Sequence, residues 1–208
     1  MKKITYLFTF LFAFIFSGEA QNRFNAGLKL GISTSQVEGD TYGGFNKAGI
    51  VGGATITAKL NEKWNAQFEM LFVQKGSKFV GDASKGDNRF YVMQLNYLEV
   101  PLLFQYKQKK FIFEMGPGFA YLISGKEYDF YGVIQNTIPF HKTEINASIG
   151  VNYIIYKNLG INWRFTNSIL PIRGFSSGAS TWYNPGQRNN VITFTATYIF
   201  RSAESEKT

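Results

Sequence analysis

From Leu95 to Lys107 the chain reads Leu-Asn-Tyr-Leu-Glu-Val-Pro-Leu-Leu-Phe-Gln-Tyr-Lys. Successive side chains of an extended strand point to opposite faces, so Leu98, Val100, Leu102, Phe104 and Tyr106 share one face. Tyr97, Glu99, Leu103 and Gln105 share the other. One side is wholly apolar and the other holds a charge. Pro101 lacks an amide donor in mid-strand, which predicts a bulge or a missing ladder bond there.

The same two-residue period recurs in seven further runs: Phe24 to Ser33, Ala48 to Leu60, Trp64 to Val73, Phe111 to Ser124, Glu144 to Ile155, Leu159 to Thr166 and Ile192 to Phe200. Their connections alternate. Asn61-Glu62-Lys63, Gln108-Lys109-Lys110 and Lys157-Asn158 are short, whereas the stretches around Glu38 to Asn46, around Gly81 to Asp87, before His141, and from Pro171 to Asn190 are long and rich in polar residues. Eight strands with alternating short and long connections predict an all-β fold, an eight-stranded antiparallel up-and-down transmembrane β-barrel. The competing arrangement is a secreted, lipocalin-like barrel with the apolar face turned inward around a ligand. Three features favour the outward arrangement, one being the alternation of short and long connections. The polar face is rich in Gly, Ser, Thr and Asn, which suits an interior barely wide enough for side chains. Phe24, Trp64, Tyr106, Phe111, Tyr121, Tyr198 and Phe200 sit near strand ends of the apolar face, where rings form girdles at membrane interfaces.

Lys2, Lys3, the apolar run Ile4 to Phe16 and Gly18-Glu19-Ala20 have the form of a secretory signal. The expected organisation is a signal at 1–20, a barrel at 21–200 and a charged tail at 201–208, with the cell outer membrane as destination after cleavage. The leader is shorter than the roughly 20 apolar residues of a spanning helix, and no other stretch approaches that length. The absence of cysteine removes disulfides, thiol catalysis and thiolate metal sites. Without Lys2, Lys3 and Glu19 the chain carries 20 Lys and Arg against 13 Asp and Glu, a net +7. An exported chain does not meet nucleic acid, so this charge is assigned to solubility or to anionic lipid headgroups.

Four segments in order, Gly27 to Gly31 (Gly-Leu-Lys-Leu-Gly), Phe72 to Ser77 (Phe-Val-Gln-Lys-Gly-Ser), Asn96 to Leu103 (Asn-Tyr-Leu-Glu-Val-Pro-Leu-Leu) and Gly116 to Tyr121 (Gly-Pro-Gly-Phe-Ala-Tyr), resemble the PorT-type outer-membrane β-barrel family of Bacteroidota. The resemblance spans nearly the whole chain after the leader. It implies a barrel in the outer membrane, in contact with lipid and lipopolysaccharide, and a protein partner in a secretion or envelope complex, the type IX secretion system being one such assembly.

Sorted by face, Lys29, Lys59 and Arg164 fall inside the first, second and seventh strands, and Glu69, Glu99, Glu114 and Glu144 inside the third to sixth. Buried charges need partners, so these seven are expected to form a lumen network of ion pairs, the alternative being a gated path for a small solute or ion. His141, the single histidine, could act as a general base only with partners such as Glu144 or Asp129 at the outer rim. No catalytic residue, cofactor or metal site is expected, against the alternative of a membrane-embedded lipid-modifying enzyme. Tyr42, Lys78, Lys85, Arg89, Trp182 and Tyr183 are the candidate loop contacts, because aromatics and basic groups among flexible polar residues bind proteins or glycans. The function expected is structural or accessory, with loops presented to a partner protein or surface glycan.

Overall fold

The computed structural model describes residues 23–135, 137–175 and 186–200. The expected leader, the charged tail and the loop positions Trp182 and Tyr183 lie outside the described residues. Eight long antiparallel strands form the wall: β1 (Phe24–Glu38), β2 (Lys47–Lys59), β3 (Trp64–Val80), β4 (Phe90–Gln108), β5 (Phe111–Asp129) and, after the two-residue β6 (Gly132–Val133), β7 (Thr143–Ile154), β8 (Leu159–Ser168) and β9 (Arg188–Phe200). Strand β6 folds back on the end of β5, pairing Val133 with Tyr128.

The strands follow one another around the sheet as β4-β3-β2-β1-β9-β8-β7-β5, and β4 pairs with β5 to close the ring. First and last strands meet from Ala26↔Phe200 to Glu38↔Arg188. Closure leaves the wall without an edge, the condition under which strands can cross hydrocarbon that offers no hydrogen bonds. No helix among the described residues is long and apolar enough to cross a membrane.

The apolar face points outward. Leu30 is 71% exposed, and Ile32, Ile50, Phe68, Met70, Leu102, Phe104, Met115, Ile149, Trp163 and Phe194 are exposed with it, whereas Glu69 on the opposite face is 0% exposed. Such a band on a closed barrel is a lipid-facing surface, and the inward-facing alternative falls with it. Six of the seven girdle aromatics gather at the end carrying the short turns, with Trp64 and Tyr106 5.0 Å apart and Tyr198 and Phe200 5.4 Å apart. Tyr121 lies towards the long-loop end.

Strands β3, β4 and β5 run to 17, 19 and 19 residues, beyond the roughly 9–11 needed to span a bilayer. Their excess lies at the long-loop end. The period in the sequence marks only the parts nearer the short turns.

Pro101 interrupts one ladder. Its β5 partner is Gly118, but on the β3 side the pairs run from Phe68↔Leu102 to Leu71↔Glu99 and skip it. A residue with no N–H leaves that gap. The accompanying register shift falls at Asn96/Tyr97 rather than at the proline. Gly76 is a tighter constraint. It has φ +137°, and a Cβ there would lie 1.9 Å from the carbonyl oxygen of Met93 on β4. Gly76→Ala is therefore expected to destabilise the barrel by about 1–3 kcal/mol or more, through backbone strain added to the clash. Urea unfolding in lipid vesicles measures it, and an unchanged midpoint would contradict the close approach of β3 and β4.

Candidate functional site: the filled lumen and the outer rim

Inward side chains of an eight-stranded barrel meet across its axis, so charges from strands remote in sequence become neighbours. Towards the short-turn end, Glu69 of β3 accepts from Lys29 Nζ of β1 at 2.6 Å. Arg164 of β8 grips the same carboxylate as a fork, Nη1 to Oε2 at 2.6 Å and Nη2 to Oε1 at 3.0 Å. Its Nε donates to Glu114 Oε1 of β5 at 2.8 Å. Glu114 also accepts from Gln105 (3.1 Å), Asn152 (2.7 Å) and Asn162 (2.9 Å). Two cations face two anions here, and both carboxylates are saturated with donors.

Above this layer Lys75 of β3 sits between two more carboxylates. Its Nζ lies 2.8 Å from Glu144 Oε1 and 2.6 Å from Glu99 Oε2, the second an ionic contact without hydrogen-bond geometry. Glu144 accepts further bonds from Asn146 (3.2 Å) and Asn189 (2.7 Å). The ammonium also lies 4.9 Å from the ring centroid of Tyr97. Between the layers remains a cavity of about 10 Å³, lined by Lys29, Val51, Leu71, Lys75, Glu99 and Arg164 among others. That is about the space of one water.

The lumen is then sealed by apolar side chains. Val37, Met93, Leu95, Tyr97, Ala120 and Leu122 of the wall close around Ile172, which enters from the β8–β9 loop. Arg173, the next residue, anchors this insertion. Its guanidinium donates to Glu127 Oε2 at 2.6 Å and Oε1 at 2.7 Å and to Gln187 at 2.7 Å, and lies 4.4 Å from the Phe140 ring centroid. The Tyr91 hydroxyl donates to Glu127.

Six of the seven lumen candidates, Lys29, Glu69, Glu99, Glu114, Glu144 and Arg164, are thus buried and in ionic contact. Lys59 is not among them: it ends β2 at the short-turn rim and is exposed. The correct face was assigned, but the position lies beyond the depth of the lumen. Lys75 was missed. It shares the parity of Glu69, Leu71 and Val73, and extending the alternation past Val73 would have found it. Arg173 and Glu127 carried no such signal, because a loop supplies one of them.

At the rim, Tyr42 is no free contact. Its ring stacks between Phe79 and Tyr91, each with a centroid 4.9 Å away. Arg89 pairs with Asp87 at 2.8 Å and Lys85 with Asp82 at 3.3 Å; both remain exposed, as does Lys78. His141 is exposed, its Nδ1 3.0 Å from the Pro171 carbonyl oxygen, while Glu144 points into the lumen. The two form no general-base pair. Among the described residues no group of His, Cys, Asp and Glu is arranged to hold a metal. Beside the rim an open groove of about 290 Å³ is lined by Leu122, Lys126, Ile134, Phe140 and Lys142 among others.

Asp40, in the β1–β2 loop, is buried. Its Oδ1 accepts from the Tyr42 amide at 2.8 Å, and Oδ2 has no partner among the described residues. Burial pushes its carboxyl above the ordinary 3.8, against the opposing pull of hydrogen bonds and the Arg173 charge. A folded state that holds this proton more tightly is most stable below pH 3.8 and loses that stability as the pH rises through the raised value. Asp40→Asn is therefore expected to gain in Tm relative to the parent as the pH rises from about 3 to about 7; a constant difference would contradict the assignment. For the lumen, Arg164→Met leaves Glu114 without a cation and Glu69 with Lys29 alone, and is expected to cost about 3–5 kcal/mol in urea unfolding. Lys59→Met, at an exposed position, should change stability by less than about 0.5 kcal/mol. Equal effects of the two would refute the network's asymmetry.

The comparisons with known proteins agree with this geometry. Among solved structures, Ail, the attachment invasion locus protein of Yersinia pestis, superposes with a TM-score of 0.50 at 15% identity, over 86% of this chain and 99% of Ail. Ail in complex with the heparin analogue sucrose octasulfate gives 0.50 at 13% identity, over 86% and 99%. Neisserial surface protein A gives 0.50 at 9%, over 85% of this chain and 97% of its own. At these identities the likeness is one of fold. No curated protein matches the chain significantly in sequence. Residues 18–173 match the family described as outer membrane protein beta-barrel domain, and with its closed wall, lipid-facing apolar band and filled lumen the chain belongs to that family, a barrel of the outer membrane.

Proposed function

We propose that this protein is a non-conducting, non-enzymatic outer-membrane barrel whose working part is its outer loops, presented to a partner protein or a surface glycan. The observation that carries this reading is the filled lumen. Two layers of paired charges and an apolar plug around Ile172 occupy the axis, and the cavity between the layers, about 10 Å³, has room for about one water. The loop end, by contrast, offers chemistry. Phe130 and Tyr131 at the β5–β6 tip are 76% and 98% exposed, and the 290 Å³ groove beside them places Lys126 and Lys142 near Phe140. Lys78, Lys85 and Arg89 add exposed cations on the neighbouring loop. Aromatic faces beside cations suit sulfated or acidic sugars and acidic protein surfaces. Ail, of like fold, has been seen with a sulfated sugar, which supports testing such ligands here.

The lumen charges act in this reading as a structural brace rather than as an ion path. The PorT-type grouping within Bacteroidota, and with it an accessory place in a secretion or envelope complex, rests on the four sequence segments described above. The residues 1–20 serve as a cleaved export signal, and 201–208 as a charged tail.

Planar-bilayer recording of the purified, refolded chain is expected to show no unitary conductance. Crosslinking from the β5–β7 loop in intact cells should capture an envelope protein, or a glycan array should show binding that is lost in a Lys126→Gln, Lys142→Gln variant. Steady channel openings abolished by no plug-stabilising change would favour the small-solute channel instead and overturn the proposal.

A further inference from the structure

The net charge of the protein is concentrated at one end. At the short-turn rim, where the family's architecture places the periplasm, Arg23, Lys59, Lys63, Lys107, Lys109, Lys110 and Lys157 are all exposed, and Glu62 is the one exposed acid among the described residues there. Seven cations against one anion leave +6 of the +7 carried by residues 21–208. The lumen is close to neutral by its ion pairs, and the long-loop end mixes both signs, with Lys85 on Asp82 and Arg89 on Asp87. None of the seven rim cations has a salt-bridge partner among the described residues.

Backbone bonds make the seven positions one continuous arc. Lys59 N donates to Arg23 O at 2.8 Å, Lys107 N to Lys63 O at 2.7 Å, and Ile154 N to Lys110 O at 2.9 Å, bringing the β7–β8 turn with Lys157 alongside. Like charges packed within a Debye length repel, so such an arc is stable where anions lie against it. The tightest turn adds a second sign. Lys109 holds φ +56°, a left-handed conformation that Gly or Asn adopts more easily, yet lysine stands there. Just inside the arc, Trp64 with Tyr106 and Phe111 with Tyr153, ring pairs 5.0 and 5.1 Å apart, form the aromatic girdle. Rings of this kind settle at headgroup level, which sets the cations at the depth of the lipid phosphates.

We infer that this basic collar binds the phosphates of anionic glycerophospholipid headgroups in the periplasmic leaflet, gathering an annulus of negatively charged lipid around that end of the barrel. Each Lys or Arg near an anionic surface contributes about a five-fold preference at low salt, so losing three costs on the order of a hundred-fold at the limit and at least ten-fold after screening.

The test uses the full chain refolded into vesicles of phosphatidylcholine mixed with phosphatidylglycerol, then released in mild detergent, with retained lipid identified by native mass spectrometry. The parent is expected to retain phosphatidylglycerol over phosphatidylcholine, with a preference that falls as salt rises and that an equal concentration of inorganic phosphate does not displace. The exposed triple variant Lys107→Gln, Lys109→Gln, Lys110→Gln, shown folded by its heat-modifiable migration on a gel, should lose that preference at least ten-fold. Lys107→Arg, Lys109→Arg, Lys110→Arg should keep it. Equal retention of both lipids by the parent, or an unchanged preference in the folded Gln variant, overturns the inference. Displacement by inorganic phosphate makes the collar a free-phosphate site and overturns it too. Binding to isolated peptidoglycan that the Gln variant loses while its lipid preference stands reassigns the collar to the cell wall. None of these results depends on whether the outer loops bind a partner.

Discussion

Everything in this molecule depends on the closure of the strand ladder, in which each wall strand pairs with two neighbours and the first strand, β1, meets the last, β9. It converts an eight-strand sheet into a ring, and only in a ring are all wall amides and carbonyls paired inside a hydrocarbon phase that offers no substitute partners. Once the ring closes, each side chain has one of two environments. Outward, the surroundings are lipid and favour Leu, Ile, Phe and Met; inward, they are a bore scarcely wider than the side chains that fill it. The proline in mid-strand of β4 shows how narrow the tolerance is. Pro101 is accommodated because its missing donor leaves one ladder gap towards β3 while the β5 side remains paired at Gly118.

The same narrowness explains the interior. A bore this tight excludes bulk water, so a lone charge inside it has no solvation and must meet its opposite across the axis. The fork of Arg164 on Glu69, the second carboxylate of Glu114, and Lys75 between Glu99 and Glu144 satisfy that requirement by joining five strands through side chains. They brace the wall where hydrogen bonds between neighbouring strands cannot, through its centre. The apolar plug around Ile172 and the Arg173–Glu127 clamp continue the brace into the loops, tying a long connection to the barrel. A loop end held in this way can present a defined surface, while the opposite rim, with its basic arc and aromatic girdle, holds its depth in the membrane.

Much of this is legible in the sequence. Alternation at period two identified all eight spanning strands and the face on which Glu69, Glu99, Glu114, Glu144, Lys29 and Arg164 lie. It did not supply depth. Lys59 has the inward parity of its strand, yet stands at the rim in solvent, while Lys75, with the same parity as Glu69, lies past Val73, where the clear alternation of β3 in the sequence stops. Tyr42 stands in the sequence as a loop aromatic, and its stacking between Phe79 and Tyr91 is invisible there because those rings arrive from two other strands. The Ile172 insertion has no periodicity at all, so no pattern in the chain announces it.

The division has a physical cause. Which face a side chain takes, where a turn falls and how many strands form are properties of neighbouring residues, since pleat and turn geometry act over two to four positions. The sequence by itself therefore determined the strand number, the two faces and the apolar band, and through these the membrane environment. Which carboxylate meets which cation, how deep each lies and which side chains fill the bore depend on the stagger between strands and on loops returning from afar. Those relations arise when the ring closes, and tertiary structure alone decided them.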